Sequence, residues 1–200
     1  MSEASTEGGG KEVKRPAGPS LQRLKFLLVE DDPHMRAFIA HTLGELGATS
    51  VGEAADGGEA MTLMRDYAPD IVITDLNMEP VDGLELIRRI RSGAQEINRY
   101  TAIILLTVHT ERARLAEARD AGVNEFVAKP VTVRGLYSHV CALIEEPRPF
   151  VHTDTYFGPD RRRKQVVFDH PNRRKVMPWL MNVDAPGTGG HPPPPTGPPR

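Results

Sequence analysis

Five side chains suited to phosphate or metal chemistry stand at the ends of short apolar runs in this 200-residue chain. They are Glu30, Asp31, Asp75, Thr107 and Lys129. Three carboxylates in one pocket would repel one another and raise one another's pKa unless a cation lay among them. A hard divalent ion with oxygen ligands relieves that repulsion, and Mg²⁺ is the usual candidate. A lysine and a hydroxyl beside such an ion are the groups that a phosphoryl oxygen needs.

These side chains can meet only if the apolar runs are neighbouring strands of one sheet. The run at 71–73 consists of β-branched residues and is apolar on both faces, which is typical of a strand buried in a parallel sheet. Asp75 would then lie at the carboxyl end of a central strand, where open α/β sheets bind their ligands. Each polar residue alone has an ordinary explanation as a cap or a turn. Their joint appearance at successive strand ends favours a shared site.

Predicted strands alternate with predicted helices over most of the chain. Hydrophobic runs predict strands at 24–29, 49–54, 71–75, 101–107 and 124–128, and helical spacing predicts helices at 33–46, 57–67, 83–92, 111–121 and 131–144. Such alternation implies right-handed crossovers and a parallel sheet covered on both faces. The sequence therefore predicts a doubly wound α/β domain over residues 23–146. Periodicity alone leaves the strand order open.

The two ends of the chain differ in composition from this domain. Residues 1–22 are polar and Gly-rich, and we expect a disordered arm because they bury too little apolar surface to offset their ordering entropy. Residues 147–200 are rich in Arg, Pro and Gly, and they are predicted to form an extended basic tail without a core of its own. The single cysteine, Cys141, falls on a predicted helix and is interpreted as a packed side chain.

Composition excludes several classes of protein. The net charge of -2 gives no overall reason to expect nucleic acid binding. One cysteine excludes an internal disulfide and fits a reducing compartment. No apolar run is long enough to cross a bilayer, and the first residues lack the apolar stretch of a signal peptide. We expect a soluble, cytoplasmic protein with no membrane partner.

Several motifs resemble the receiver domain of bacterial two-component response regulators, including the chemotaxis-type receivers that stand alone. The matching pieces are Phe26-Leu27-Leu28-Val29-Glu30-Asp31-Asp32-Pro33, Ile73-Thr74-Asp75-Leu76-Asn77-Met78, Asp82-Gly83-Leu84-Glu85-Leu86, Leu106-Thr107 and Phe126-Val127-Ala128-Lys129-Pro130. The resemblance implies a flavodoxin-like, five-stranded sheet of order 2-1-3-4-5. It also implies a phosphorelay protein that is not an enzyme beyond its own Mg²⁺-dependent phosphorylation and dephosphorylation.

The resemblance assigns a role to each site residue. Asp75 would accept a phosphoryl group from a sensor histidine kinase or a phosphotransfer protein. Glu30, Asp31, Asp75 and the backbone carbonyl of Asn77 would hold Mg²⁺, and Lys129 would pair with the phosphoryl oxygens. Thr107 would donate its hydroxyl to the phosphate, and Phe126 would change rotamer behind it. The output would be phosphorylation-dependent binding of a downstream protein by the face around the fourth helix, the fifth strand and the fifth helix.

This sequence departs from the family pattern at three positions. Glu30 stands where Asp is frequent, and its longer side chain is expected to reach the metal through water. Glu79 separates Met78 from Pro80, which alters the loop beside Asp75. Val108 follows Thr107 where a small residue is frequent, so access to the phosphoryl group is expected to be narrower. These departures bear on phosphorylation kinetics.

Three other functions remain open from the sequence. Basic clusters at 161–164 and 173–175, with nearby aromatic residues, fit a nucleic-acid-binding tail, although a solvated arm is the commoner reason for such clusters. A pseudo-receiver that takes no phosphate would act only as a binding module, but the complete set of acids, Thr and Lys argues against it. A metal-dependent phosphatase would need a second general acid or base. His109 is the one histidine placed near the site.

Overall fold

The computed structural model describes residues 18–108 and 112–162, and for 175–177 the backbone alone. Up to residue 145, strands and helices alternate. The strands are β1 (Lys25–Val29), β2 (Ser50–Ala54), β3 (Ile71–Asp75), β4 (Ala102–Thr107) and β5 (Glu125–Ala128). The helices are α1 (Pro33–Glu45), α2 (Gly57–Tyr67), α3 (Gly83–Ser92), α4 (Arg112–Ala121) and α5 (Val133–Glu145).

Strands β1 to β5 form one parallel sheet with the order β2-β1-β3-β4-β5. This confirms the predicted doubly wound fold and the strand order that the resemblance implied. The register brings the carboxyl ends of β3 and β4 level, because Asp75 pairs with Leu106. Thr107, one residue further along β4, pairs with Ala128 of β5. The polar residues that follow these strands therefore share one edge of the sheet.

The sheet separates two hydrophobic cores. On one face, alternate residues of the strands pack against α2 and α3, with Ala118 as the buried residue of α4. On the other face, the remaining strand residues pack against α1 and α5. Because β3 and β4 contribute to both cores, their side chains are buried throughout, as the unbroken apolar runs predicted.

Side-chain caps fix where the helices begin. Asp32 accepts hydrogen bonds from the backbone N–H groups of His34 and Met35 at the start of α1, and Asp82 accepts one from Glu85 N at the start of α3. Helix α5 begins two residues later than predicted. Thr132 is its N-cap, so the preceding valine belongs to the loop even though its apolar side chain continues the helical pattern.

A small antiparallel sheet follows α5, and the sequence did not predict it. It consists of β6 (Phe150–Thr153), β7 (Tyr156–Pro159) and β8 (Lys175–Met177), with β6 in the centre. Phe150 and Val151 are buried. The ring of Phe150 lies 5.2 Å from that of Tyr100, between centroids, at the amino-terminal end of β4. These residues bury their apolar surface against the α/β domain, which explains why their own sequence shows no separate core.

Arg91 joins the hairpin formed by β6 and β7 to the α/β domain. The side chain is buried at the end of α3 and donates hydrogen bonds of 2.7 to 2.9 Å to four acceptors. These are the carbonyl oxygens of Gly122, Arg99 and Thr101 and Oδ1 of Asn124. Its guanidinium carbon also lies 5.1 Å from the ring centroid of Phe150. The hairpin therefore sits at the amino-terminal edge of the sheet, opposite the edge that carries Asp75.

Only part of the predicted arm and tail lies within the described residues. Leu21 is buried in the core beside α1 and α5, so packed structure begins before residue 23. Residues 1–17, 163–174 and 178–200 lie outside the described residues, and with them half of the basic cluster at 161–164 and two residues of the cluster at 173–175. The division of the chain at residue 146 stays a prediction. No helix in the described ranges combines the length and the apolar character that a bilayer span requires.

Candidate functional site

Three carboxylates come together at the carboxyl edge of the sheet. One oxygen from each of Glu30, Asp31 and Asp75 lies within 4.8 Å of the others. Glu30 follows β1 and Asp75 ends β3, so the pairing of these two strands sets their separation. Glu30 and Asp75 are only 1% and 7% exposed, whereas Asp31 is exposed. The structure thus joins three acids that the sequence placed at the ends of two different strands.

Lys129 brings a positive charge into this cluster. Its Nζ lies 2.8 and 3.1 Å from the two carboxylate oxygens of Glu30 and 3.1 Å from Oδ2 of Asp75. Its backbone N–H donates to the carbonyl oxygen of Thr107 at 2.9 Å, which ties the end of β5 to the end of β4. The Lys129–Pro130 peptide bond is cis. One ammonium group therefore contacts two of the three acids.

Burial and charge set the protonation of this pair. Burial is the largest influence on Glu30 and raises its pKa above 4.5; the hydrogen bond from Lys129 opposes this shift and the charge of Asp75 adds to it. Burial alone would lower the pKa of Lys129, but hydrogen bonds to Glu30 and Asp75 outweigh it, and the pKa lies above 10.5. Lys129 is therefore a cation at neutral pH.

The donor set fits a hard divalent cation. Three carboxylates offer oxygen ligands, two of them from a buried position where unneutralised charge is costly. Asp31 is exposed, so the cluster has a side open to solvent. Asn77, whose carbonyl the resemblance adds to the ligands, lies exposed two residues beyond Asp75. Its part in holding a metal stays a prediction.

The backbone around Asp75 is held tightly. Oδ1 of Asp75 accepts a hydrogen bond from the N–H of Leu76 at 2.8 Å, and its carbonyl oxygen accepts one from the hydroxyl of Thr74 at 2.9 Å. Gly83 N donates to the carbonyl oxygen of Leu76 at 3.0 Å. A Cβ on Gly83 would collide with the carbonyl oxygen of Asp75. The loop from β3 to α3 therefore requires glycine where it returns to the strand.

Thr107 and Phe126 occupy the neighbouring strands β4 and β5. Thr107 is buried at the end of β4. Phe126 pairs with Leu105 and is partly buried against the core that contains α2 and α3. The side chain of Val108 is 60% exposed, and the Glu79–Pro80 peptide bond is cis. The switch roles of Thr107 and Phe126 and the effect of Val108 stay predictions, and His109 lies outside the described residues.

Arg36 is a polar neighbour of the site that the sequence analysis missed. Its side chain donates a 2.6 Å hydrogen bond from a terminal guanidinium nitrogen to the carbonyl oxygen of Glu30. The available signal was its position near the start of α1, where the helix dipole favours acids over bases. A cation at an unfavourable helical position suggests that another contact stabilises it.

Residues 26–141 match the family model described as the response regulator receiver domain. The chain belongs to this family. Receiver domains are signalling modules of two-component phosphorelays that act with histidine kinases or phosphotransfer proteins. Strands β6, β7 and β8 lie beyond the matched residues.

Curated relatives and solved structures agree with this assignment. The chain is 34% identical over 122 residues to chemotaxis protein CheY of Pseudomonas aeruginosa, covering 61% of this chain and 97% of the relative. It is 32% identical over 124 residues to CheY-3 of Vibrio cholerae, covering 62% and 94%. The structure of CheY4 of Vibrio cholerae superposes with a TM-score of 0.55 at 30% identity, covering 58% of this chain and 95% of that one.

A fourth relative covers more of this chain. The receiver domain of a signal transduction histidine kinase from Syntrophus aciditrophicus matches with a TM-score of 0.56 at 25% identity. It covers 74% of this chain and 99% of that chain. The chain is thus similar to chemotaxis proteins and to the receiver domain of a histidine kinase.

Proposed function

We infer that this protein receives a phosphoryl group on Asp75 and signals through the phosphorylated form. The observation that carries the proposal is the position of Lys129, whose ammonium contacts both Glu30 and Asp75 within a cluster of three carboxylates. This ammonium offsets the charge of buried Glu30 and also lies beside Asp75, the residue that would accept the phosphoryl group. A phosphoryl group attached to Asp75 would find the ammonium within hydrogen-bonding reach.

The chemistry is a phosphoryl transfer to a carboxylate. An oxygen of Asp75 attacks the phosphorus of a phosphohistidine, the P–N bond breaks, and an acyl phosphate forms as the imidazole leaves. Mg²⁺ held by Glu30, Asp31 and Asp75 would neutralise charge on the transferring oxygens when it is bound. The ammonium group of Lys129 supplies a fixed positive charge beside the same oxygens. Few protein groups therefore have to reorient as the transition state forms.

Signalling requires that the phosphate bias two conformations of the protein. We assign the phosphate contact to the hydroxyl of Thr107 and the packing change to Phe126 on the adjacent strand. The buried position of Thr107 supports this assignment, because it follows Leu106, the residue of β4 that pairs with Asp75. A ligand shifts such an equilibrium only by its differential contacts with the two states. The output is then binding of a downstream protein that prefers the phosphorylated state.

Acetyl phosphate provides a direct test of the acceptor. With Mg²⁺, intact-mass analysis of the full chain is expected to show one added phosphoryl group, and Asp75→Asn should remove it. Asp56→Asn is the matched control, because Asp56 caps α2 outside the cluster and Asn caps helices equally well. An unlabelled wild type, or equal labelling of Asp75→Asn, contradicts the proposal.

The signalling step has its own test. A pulldown from the native cell extract should recover a protein with beryllofluoride-treated wild type and not with untreated wild type. Thr107→Ala should take the label on Asp75 but lose the difference between the two pulldowns. Identical recovery in the treated and untreated wild-type samples would mean that this chain does not signal by phosphorylation-dependent binding.

A further inference from the structure

Asp31 is the least anchored of the three clustered acids. Glu30 is held by Lys129, and Asp75 is held by Lys129 and by the N–H of Leu76. Asp31 is exposed, and within the described residues its side chain makes no hydrogen bond or ion pair. Its direction therefore depends on the backbone that carries it.

That backbone is fixed from two sides. The N–H of Glu30 donates to the carbonyl oxygen of Ala54 on β2 at 3.2 Å. The carbonyl oxygen of Glu30 accepts the 2.6 Å hydrogen bond from Arg36. Because a peptide unit is planar, the direction of this carbonyl also fixes the N and Cα positions of Asp31. The Nε of Arg36 lies 3.4 Å from a carboxylate oxygen of Glu53, which holds the guanidinium in place.

We propose that Arg36 is a positioning residue for the cation site, and that it acts by orienting the peptide bond between Glu30 and Asp31. This proposal rests on the proposed function only in taking the cluster to be a metal site. The contacts of Arg36 are with the backbone carbonyl of Glu30 and with Glu53, so it would act through the peptide bond and not as a ligand. Loss of a contact that orients a metal ligand commonly changes metal affinity by about tenfold or more.

A simple charge effect predicts the opposite result. The guanidinium of Arg36 contacts the backbone of Glu30, so its positive charge opposes binding of a divalent cation by the cluster. If charge alone mattered, removing it would tighten Mg²⁺ binding and Arg36→Lys would leave binding unchanged. Positioning predicts that both Arg36→Gln and Arg36→Lys weaken binding, because neither side chain keeps the planar donor arrangement that spans Glu30 and Glu53.

Mg²⁺ titration of the full chain by calorimetry separates these outcomes. We expect Arg36→Gln and Arg36→Lys each to raise the Mg²⁺ dissociation constant by about tenfold. Glu53→Gln should raise it less, since it loosens Arg36 without removing the bond to Glu30. Asp31→Asn removes one of the three carboxylates, so it shows how much the Mg²⁺ dissociation constant rises when a ligand itself is lost. Arg89→Gln is the control, because that exposed arginine pairs with Glu85 on α3 and should leave the affinity unchanged.

A second readout distinguishes positioning from general damage. Saturating Mg²⁺ should restore the acetyl phosphate labelling rate of Arg36→Gln, because only the metal affinity has changed. Wild type that binds Mg²⁺ but takes no label would contradict the proposed function and leave this inference standing. The inference is overturned if wild type binds no Mg²⁺, if Arg36→Gln binds it as tightly as wild type, or if saturating Mg²⁺ fails to restore labelling.

Discussion

Gly83 offers the sharpest test of how the loop beside Asp75 is built. Its missing side chain lets the first turn of α3 approach the end of β3, where an added Cβ would collide with the carbonyl oxygen of Asp75. The same Cβ would lie 3.0 Å from the carbonyl carbon of Asp75 and 3.1 Å from Cα of Leu76. All three atoms belong to the backbone, so no flexible side chain can move aside. Gly83→Ala must displace either the strand end or the helix.

The size of the effect follows from this geometry. Overpacking a well-packed interior costs about 1–3 kcal/mol, and the backbone contacts at Gly83 place the cost near 3 kcal/mol. Gly44 in α1 provides the matched control, because a Cβ there would meet no atom within 4 Å. Gly44→Ala should stabilise the protein by about 0.5 kcal/mol, since alanine is the better helix former. The same Gly-to-Ala substitution should therefore destabilise the protein at residue 83 and stabilise it at residue 44.

Urea unfolding of the two variants measures this contrast. With a slope of about 2 kcal/mol per molar urea, Gly83→Ala should lower the midpoint by roughly 1.5 M, whereas Gly44→Ala should raise it slightly. Acetyl phosphate labelling of Gly83→Ala should also slow, because the displaced backbone carries Asp75. Gly83→Ala with the stability and labelling rate of wild type would refute the packing argument.

Three further changes test other parts of the molecule. Phe150→Ala should lower the free energy of unfolding in urea by about 3–5 kcal/mol, because the ring is fully buried. Leu63→Ala on the surface of α2 should lower it by less than about 1 kcal/mol. Equal losses would contradict the docking of the hairpin. Lys129→Met should lower the stability of the metal-free protein, since buried Glu30 loses its partner, and added Mg²⁺ should recover part of the loss; no recovery would argue against metal binding. Burial raises the pKa of the Cys141 thiol, so iodoacetamide should react more slowly with the native protein than with the urea-unfolded chain. The reaction rate of the native protein should also begin to rise at a higher pH than that of the unfolded chain. Identical pH profiles for the two forms would be inconsistent with a packed thiol.

Local patterns were sufficient to predict the α/β domain. The apolar run ending in Asp75 identifies a central strand because both of its faces are buried, and Asp82 and Gly83 mark the following loop and helix. Once β1 and β3 are known to be neighbours, their parallel pairing brings Asp75 close to Glu30. The strand order came from the family resemblance, since hydrophobic periodicity records burial and not which strands are neighbours.

Contacts between distant segments escaped prediction. Phe150 looks like an isolated aromatic residue because Tyr100 and Arg91, which bury it, lie 50 or more positions earlier. The hydrogen bond from Arg36 to the carbonyl oxygen of Glu30 cannot be predicted from sequence patterns, because every residue type carries the same backbone carbonyl. The start of α5 was predicted at Val131 because its hydrophobic side chain continues the spacing, but the cap at Thr132 determines the boundary.

The buried arginine at the end of α3 bears on how this domain can be cut or grafted. A truncated chain ending at residue 146, where the sequence pattern changes, would keep the three clustered carboxylates and Lys129. It would also remove the ring of Phe150, which covers the guanidinium of Arg91 and packs against Tyr100. Buried side chains that pack on the α/β domain therefore extend past residues 26–141, the range matched by the family model. Chimaeras that exchange receiver domains should carry residues 147–162 with them, or replace Arg91 and Tyr100 with the residues of a receiver that lacks the hairpin.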